Sequence, residues 1–179
     1  MFAVDTPSTD AVLVRGFRPL AGKGARIVVL GTLPGRESQR LREYYADRGN
    51  AFWFIVERLF GISGVYHERV QGLIRKQIAV WDVLRLARRR GSQDNKIIGG
   101  TERPNDFAAF FRTYPSIKTV FFNGGRAEEY FQNCRPPGLL LDVRTPPLPS
   151  TSGANSHLTK EKKAERWHEV LRILANGRP

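Results

Sequence analysis

The chain has 179 residues, enough for one domain with a sizeable core and short for two. Its 41% hydrophobic content excludes a disordered chain, and its single cysteine, Cys134, excludes an internal disulfide framework or a four-cysteine zinc or iron–sulfur site. The 29 lysines and arginines outnumber 17 acids, and the net charge of +12 points to a polyanionic partner, nucleic acid before an anionic membrane surface.

The first residues, MFAVDTPSTDAV, carry acids early and lack the basic-then-apolar pattern of a secretory signal. No apolar run approaches the ~20 residues of a membrane span. A cytoplasmic protein without membrane contact is expected, nucleoid-associated if the source is bacterial. RIVVLGTL (26–33) is a β-branched run closing on a glycine turn and predicts a buried strand. YYADRGNAFW (44–53) then sets Tyr44, Tyr45, Phe52 and Trp53 around one neutral amide, Asn50. Either the aromatics are core and Asn50 caps a helix, or they line a slot for a flat ring and the amide does chemistry in it. The apolar positions 52, 55, 56, 59 and 60 have helical spacing, with Asn50 as N-cap and Gly61 as the stop.

Residues 66–76 predict a second helix and IAVWDVL (78–84) a second strand. RLARRRGSQDNK (85–96) reads as a basic loop in which Arg88, Arg89 and Arg90 follow a strand end and contact phosphates. PNDFAAFFRTYP (104–115) predicts a helix opened by Asn105 and closed before Pro115. SIKTVFFNGG (116–125) is a third strand, RAEEYFQNC (126–134) a helix, and GLLLDVRTPPLPS (138–150) a fourth strand running into a proline-rich turn. A final helix over 157–177 carries Trp167, Val170, Leu171 and Leu174 on one face and stops at Asn176-Gly177. Strands alternating with helices imply a parallel sheet covered on both faces, and in such sheets ligands bind beyond the carboxyl ends of the strands.

Three segments at those ends carry candidate chemistry. GTLPG (31–35) is a tight turn that brings backbone N–H groups forward, although it is neither a phosphate-binding P-loop nor a dinucleotide fingerprint. In PLPSTSGANS (147–156), with Pro146, Pro147 and Pro149 as stiffeners, Ser150, Thr151, Ser152, Asn155 and Ser156 can donate to phosphate oxygens. Asn123 follows VFF and offers a donor and an acceptor suited to a base edge. Each also reads as ordinary structure: a strand-to-helix turn, a solvated loop, a turn asparagine. His67, His157 and His168 show no metal-ligand spacing, with His168 read as structural, and Asp82 is expected to hold a loop rather than to catalyse.

Taken together, GTLPG, YYA…N-A-F-W, WDVL…GS-x-D, a strand ending FNG and the late LPSTSGAN resemble the uracil-DNA glycosylase superfamily, most closely its hypoxanthine-DNA glycosylase branch, family six. The resemblance spans about residues 26 to 172, within a single glycosylase domain over 1–179. It implies an α/β fold, a three-layer α/β/α sandwich around a four-stranded parallel sheet. It also implies a monofunctional DNA glycosylase of base excision repair. Such an enzyme flips a deaminated base from DNA, hypoxanthine first and uracil second, and hydrolyses its N-glycosidic bond.

In many relatives the third position of the first motif is a water-activating polar residue, where this chain has Leu33. The family-six pattern moves that role to Asn50, here the expected catalytic residue. The late-motif histidine of uracil specialists is matched by Leu148, and the family's proline by Gly153. Gly31, Thr32, Tyr45, Phe52 and Asn123 are expected to meet the base. Pro34, Gly35, Ser38, Arg88, Ser150, Thr151, Ser152 and Asn155 are expected to meet the DNA. No metal or organic cofactor is implied, and the partner expected is DNA with a damaged or mispaired base, bound by a monomer. A non-catalytic DNA-binding module that keeps the fold is the alternative, favoured by Leu33 and Leu148.

Overall fold

The computed structural model describes residues 11–138, 142–144 and 147–176. Four strands, β2 (Ile27–Gly31), β3 (Ile78–Asp82), β6 (Thr119–Phe122) and β7 (Asp142–Val143), form a parallel sheet in the order β3-β2-β6-β7. The helices are α1 (Arg36–Leu41), α2 (Phe52–Phe60), α3 (Tyr66–Arg75), α4 (Phe107–Thr113), α5 (Gly125–Cys134) and α6 (Lys160–Asn176).

The alternation of the strands explains the layers. Along β2, Val28 and Leu30 join one apolar cluster with Phe107, Phe110 and Phe131, so α4 and α5 cover that face. Ile27 and Val29 join the other with Ile55, Leu73 and Trp167, so α2, α3 and α6 cover the opposite face. Every residue of β2, β3 and β6 is buried, as a parallel sheet covered on both sides requires. The three-layer α/β sandwich is therefore present.

Helix α2 stops at Gly61, whose φ of 66° is the left-handed closure that glycine adopts without strain. Helix α4 is opened by Asp106, whose carboxylate accepts the Ala109 N–H at 2.9 Å. Asn105 instead sends its side-chain N–H to the Asp82 carbonyl, which corrects the cap expected from sequence.

The basic stretch 85–96 is not a loop throughout. β4 (Leu84–Arg89) is central in a second, antiparallel sheet, between β1 (Val12–Arg15) and β5 (Arg103–Pro104). The expected strand 78–84 therefore divides at Val83, with β3 in one sheet and β4 in the other. Local composition hid this because the partner of β4 lies about 70 residues upstream, pairing Val12 with Arg89 and Arg15 with Leu86. The fourth parallel strand is described only at Asp142–Val143, while Pro146 and the Gly177 stop fall outside the described residues. Helix α6 starts at Lys160 rather than at His157.

Candidate active site

The carboxyl ends of β2, β3 and β6 open into a cleft of about 1050 Å³. The first-motif turn, the 44–50 loop, the 90–96 loop and the 150–157 loop form its walls. No helix among the described residues is long and apolar enough to cross a membrane.

Asn123 leaves β6 facing Thr151. Its Nδ2 donates to Thr151 Oγ1 at 2.8 Å, and its Oδ1 accepts the Thr151 N–H at 2.8 Å. A backbone N–H only donates, so the amide is fixed in one sense. Thr151 is fully buried, and its carbonyl accepts the Ala51 N–H at 2.8 Å. The late loop and the Asn50 loop are thereby tied together. They also meet at Gly153, where a Cβ would stand 3.2 Å from the Gly49 carbonyl oxygen. Glycine at 153 thus permits a close backbone approach. Lys163 and Trp167 of α6 hold the late loop from behind, donating to the Ser152 and Pro149 carbonyls.

Asn50 lines the cleft with its Oδ1 accepting the Phe52 N–H at 3.0 Å. The N-cap of α2 is Ala51, not Asn50 as expected from sequence; Asn50, one residue earlier, steadies the helix start through one lone pair of its carbonyl oxygen, which has a second.

The four aromatics do not form one slot. Phe52 is 1% exposed and lies behind Tyr45, ring on ring at 4.0 Å, so it does not line the cleft. Trp53 packs edge-on against Phe52 and Tyr66, and its indole N–H donates to the Tyr44 carbonyl. Tyr44 is buried, lines the cleft and sends its own N–H to the Tyr66 hydroxyl. Tyr45 is half-buried against the cleft, at a φ of 56° that costs an L-residue about 1–2 kcal/mol and turns the ring out of the run. Its hydroxyl faces Asn123 without a hydrogen bond of good geometry, and burial holds its pKa well above the usual phenol range.

Gly31, Thr32, Pro34 and Gly35 line the cleft as expected. A Cβ on Gly31 would stand 2.6 Å from Asp82 Oδ1 and 3.0 Å from the Tyr45 hydroxyl. Ser38 also lines the cleft but is buried, its hydroxyl accepting the Ala46 N–H, so it braces the loop to Asn50. Ser150, Ser152 and Asn155 line the cleft and hydrogen-bond within their own loop.

The arginine run divides. Arg88 is exposed on β4 and does not line the cleft, its guanidinium reaching the Ala11 carbonyl. Arg89 is fully buried and grips the Pro34 carbonyl at 2.6 Å. Arg90 alone of the three lines the cleft. Alternation along β4 separates neighbours to opposite faces, which a loop reading could not foresee.

Sequence reasoning passed over the cleft residues Asp47, Asp94, Lys96 and Arg126, and it gave Asp82 a loop-holding role and His157 no functional role. Asp82 had a visible signal, its place at the carboxyl end of a predicted strand. Its backbone carbonyl does hold a loop, through Asn105, but its carboxyl Oδ2 has no hydrogen-bond partner.

With this geometry in view, the comparisons are specific. Residues 19–174 match the model of the uracil DNA glycosylase superfamily. A hypoxanthine DNA glycosylase of Methanosarcina acetivorans is 36% identical over 164 residues, 90% of this chain and 99% of the relative. One of Methanosarcina barkeri is 34% identical over 161 residues, 88% of this chain and 98% of the relative. The solution NMR structure of a candidate uracil DNA glycosylase from M. acetivorans superimposes with a TM-score of 0.77 at 34% identity, over 92% of this chain and 99% of that one.

Proposed function

The chain belongs to the uracil DNA glycosylase superfamily and is a DNA glycosylase; we propose that it flips a deaminated base out of DNA, hypoxanthine first and uracil second, and hydrolyses its N-glycosidic bond with no lyase step. The observation that carries the choice of a deaminated base over adenine is the fixed Asn123 amide; uracil, with N3–H beside O4, presents the same pattern as hypoxanthine, so the order between those two rests on the apolar Leu33 and Leu148. With Thr151 engaging one N–H and one lone pair, the amide keeps one donor and one acceptor of set sense. Hypoxanthine brings an N1–H donor and an O6 acceptor to meet them. Adenine presents the reverse, and a fixed amide cannot exchange its ends. The hypoxanthine names of the two Methanosarcina relatives support the same order.

Cleavage at a deoxyribose gathers positive charge on the sugar and negative charge on the base. Attack on so nearly formed a cation needs a placed water rather than a strong base. Asn50 places it, its Oδ1 already steadied by the Phe52 N–H, which is positioning plus electrostatics. The Tyr45 ring, backed by Phe52, stacks on the flipped base for about 1–3 kcal/mol. Unpairing costs least at a mismatch, which favours deaminated bases further. Leu33 and Leu148 are both buried, so neither serves a uracil specialist's polar role.

DNA is the partner. Arg36, Arg90, Lys96 and Arg126 around the cleft are the cations proposed to meet its phosphates, with Ser150 and Ser152 keeping hydroxyl donors for the backbone. A single glycosylase domain acting as a monomer in base excision repair, in the cytoplasm and nucleoid-associated if the source is bacterial, completes the reading. Single-turnover release at matched enzyme excess from inosine and uracil duplexes tests it. Hypoxanthine is expected to leave faster, and uracil release tenfold faster than hypoxanthine release overturns the preference.

A further inference from the structure

Asp82 ends β3 on the floor of the cleft, 3% exposed, with Oδ2 lacking any hydrogen-bond partner. Asn50, Asn123 and Tyr45 all have places in the proposed reaction, and this carboxyl does not. The groups facing it are Tyr44 and Tyr45 from the loop before α2, Arg89 from β4 and Asp94 from the turn at Asp94–Lys96. Arg89 does not pair with it. That guanidinium grips the Pro34 carbonyl through Nη2 and approaches Asp94 through Nη1 at 3.8 Å. From β2 comes Gly31, where a Cβ would stand 2.6 Å from Asp82 Oδ1, so the glycine leaves room beside the carboxyl.

An ionised carboxyl so placed would be a buried charge without a paired cation, at a cost of several kcal/mol. The group holds its proton instead. Burial first and the Asp94 charge second push it up to about 8, against the opposing pull of Arg89. The phosphates of bound DNA act in the same direction as Asp94.

From this placement we propose that Asp82 is a further catalytic residue, a neutral carboxylic acid that protonates the departing base. The role rests on the glycosylase reading above. As the C1′–N9 bond breaks, its electron pair stays with the purine. The Asp82 proton passes to an acceptor atom of that base, which leaves as neutral hypoxanthine. The water placed by Asn50 adds to C1′, and the proton it sheds restores Asp82 through solvent. One water is consumed, a free base and an abasic sugar form, and nothing is oxidised or reduced. A neutral carboxyl both donates and accepts, so it suits a lactam edge and an amidine edge alike. Asp82 therefore sets rate, and the choice of base stays with Asn123.

The test is single-turnover hypoxanthine release from an inosine duplex at saturating enzyme, from pH 6 to 9.5, by the full chain and by Asp82→Asn and Asp82→Glu. The wild-type rate is expected to fall about tenfold per pH unit above pH 8. Asp82→Asn is expected to be at least tenfold slower and to lose that alkaline limb, because an amide does not titrate. Asp82→Glu is expected to keep the limb at a moved midpoint. Carboxyl carbon-13 NMR of the free wild-type protein should show an aspartate titrating near pH 8 that is absent from Asp82→Asn. A wild-type rate level to pH 9.5 overturns the proposal whether or not either variant folds. So does an Asp82→Asn protein that retains the limb, which would assign it to the inosine base itself. A wild type that releases no base at any pH strikes the glycosylase reading itself, a result distinct from either.

Discussion

The two polar halves of the cleft are built by opposite rules. On the side where the 44–52 and 147–157 loops meet, side-chain and backbone groups pair: Asn123 with Thr151 twice, Asn50 with Phe52, Ala51 with Thr151. On the side where the first-motif turn meets β3 and β4, Asp82 Oδ2, the Tyr45 hydroxyl and Arg89 Nε and Nη1 are buried without hydrogen-bond partners. A paired network fixes geometry, because each amide that turned would lose bonds in a site of low dielectric. An unpaired one stores desolvation cost that a ligand can relieve, at about 1–3 kcal/mol for each group. In the proposed reaction the first half holds Asn50 and Asn123 in place, and the second meets the base.

The largest effect should come from the paired half. Asn50→Ala is expected to lower the single-turnover rate about a hundredfold or more, with DNA affinity kept within a few-fold. The lost Phe52 N–H contact should cost about 1 kcal/mol of stability. Near-normal rates from the folded variant would return Asn50 to a purely structural role.

Thr151→Val keeps the side-chain shape but leaves the half-buried Asn123 Nδ2 short of an acceptor, at about 1 kcal/mol. Hypoxanthine release should fall about tenfold, and thermal unfolding should shift downward with it. A shift in unfolding with unchanged release would separate the lock from base recognition.

The unpaired half should respond in the other direction. Asp82 has a folded pKa of about 8, above the unfolded value of about 3.9, so folding takes up a proton between those limits. That stabilising contribution of the proton is complete below pH 4 and is lost as pH rises through 8. Asp82→Asn should therefore match the wild type at pH 4 and exceed it at pH 8 by several degrees in Tm, about 2–4 °C for each kcal/mol recovered. Equal Tm differences at both pH values would show that the carboxyl is not held neutral.

The smallest effect concerns the rim. Arg90→Ala should reduce the slope of log K against log salt by about 0.9, whereas Arg88→Ala should leave it unchanged. Fluorescence anisotropy on an undamaged duplex at several salt concentrations reads both. A reversed result would place the DNA path over the antiparallel sheet.

Local pattern alone determined a large part of this protein. The β-branched run at 26–33, the helical spacing from Phe52 to Phe60 and the stop at Gly61 all correspond to elements, because each is set by neighbours within a few residues. Five short motifs in order marked the family and brought Gly31, Asn50, Asn123 and Thr151 together before any coordinates. Only the tertiary structure decided the rest. It sent Phe52 behind Tyr45, made a strand of a basic stretch by pairing it with Val12–Arg15, and divided Arg88, Arg89 and Arg90 among three environments. It also fixed the Asn123 amide and left the Asp82 carboxyl unpaired. Those outcomes depend on partners far away in the chain, and whether a polar group is paired or stranded is a property of the space around it, which no local window of sequence contains.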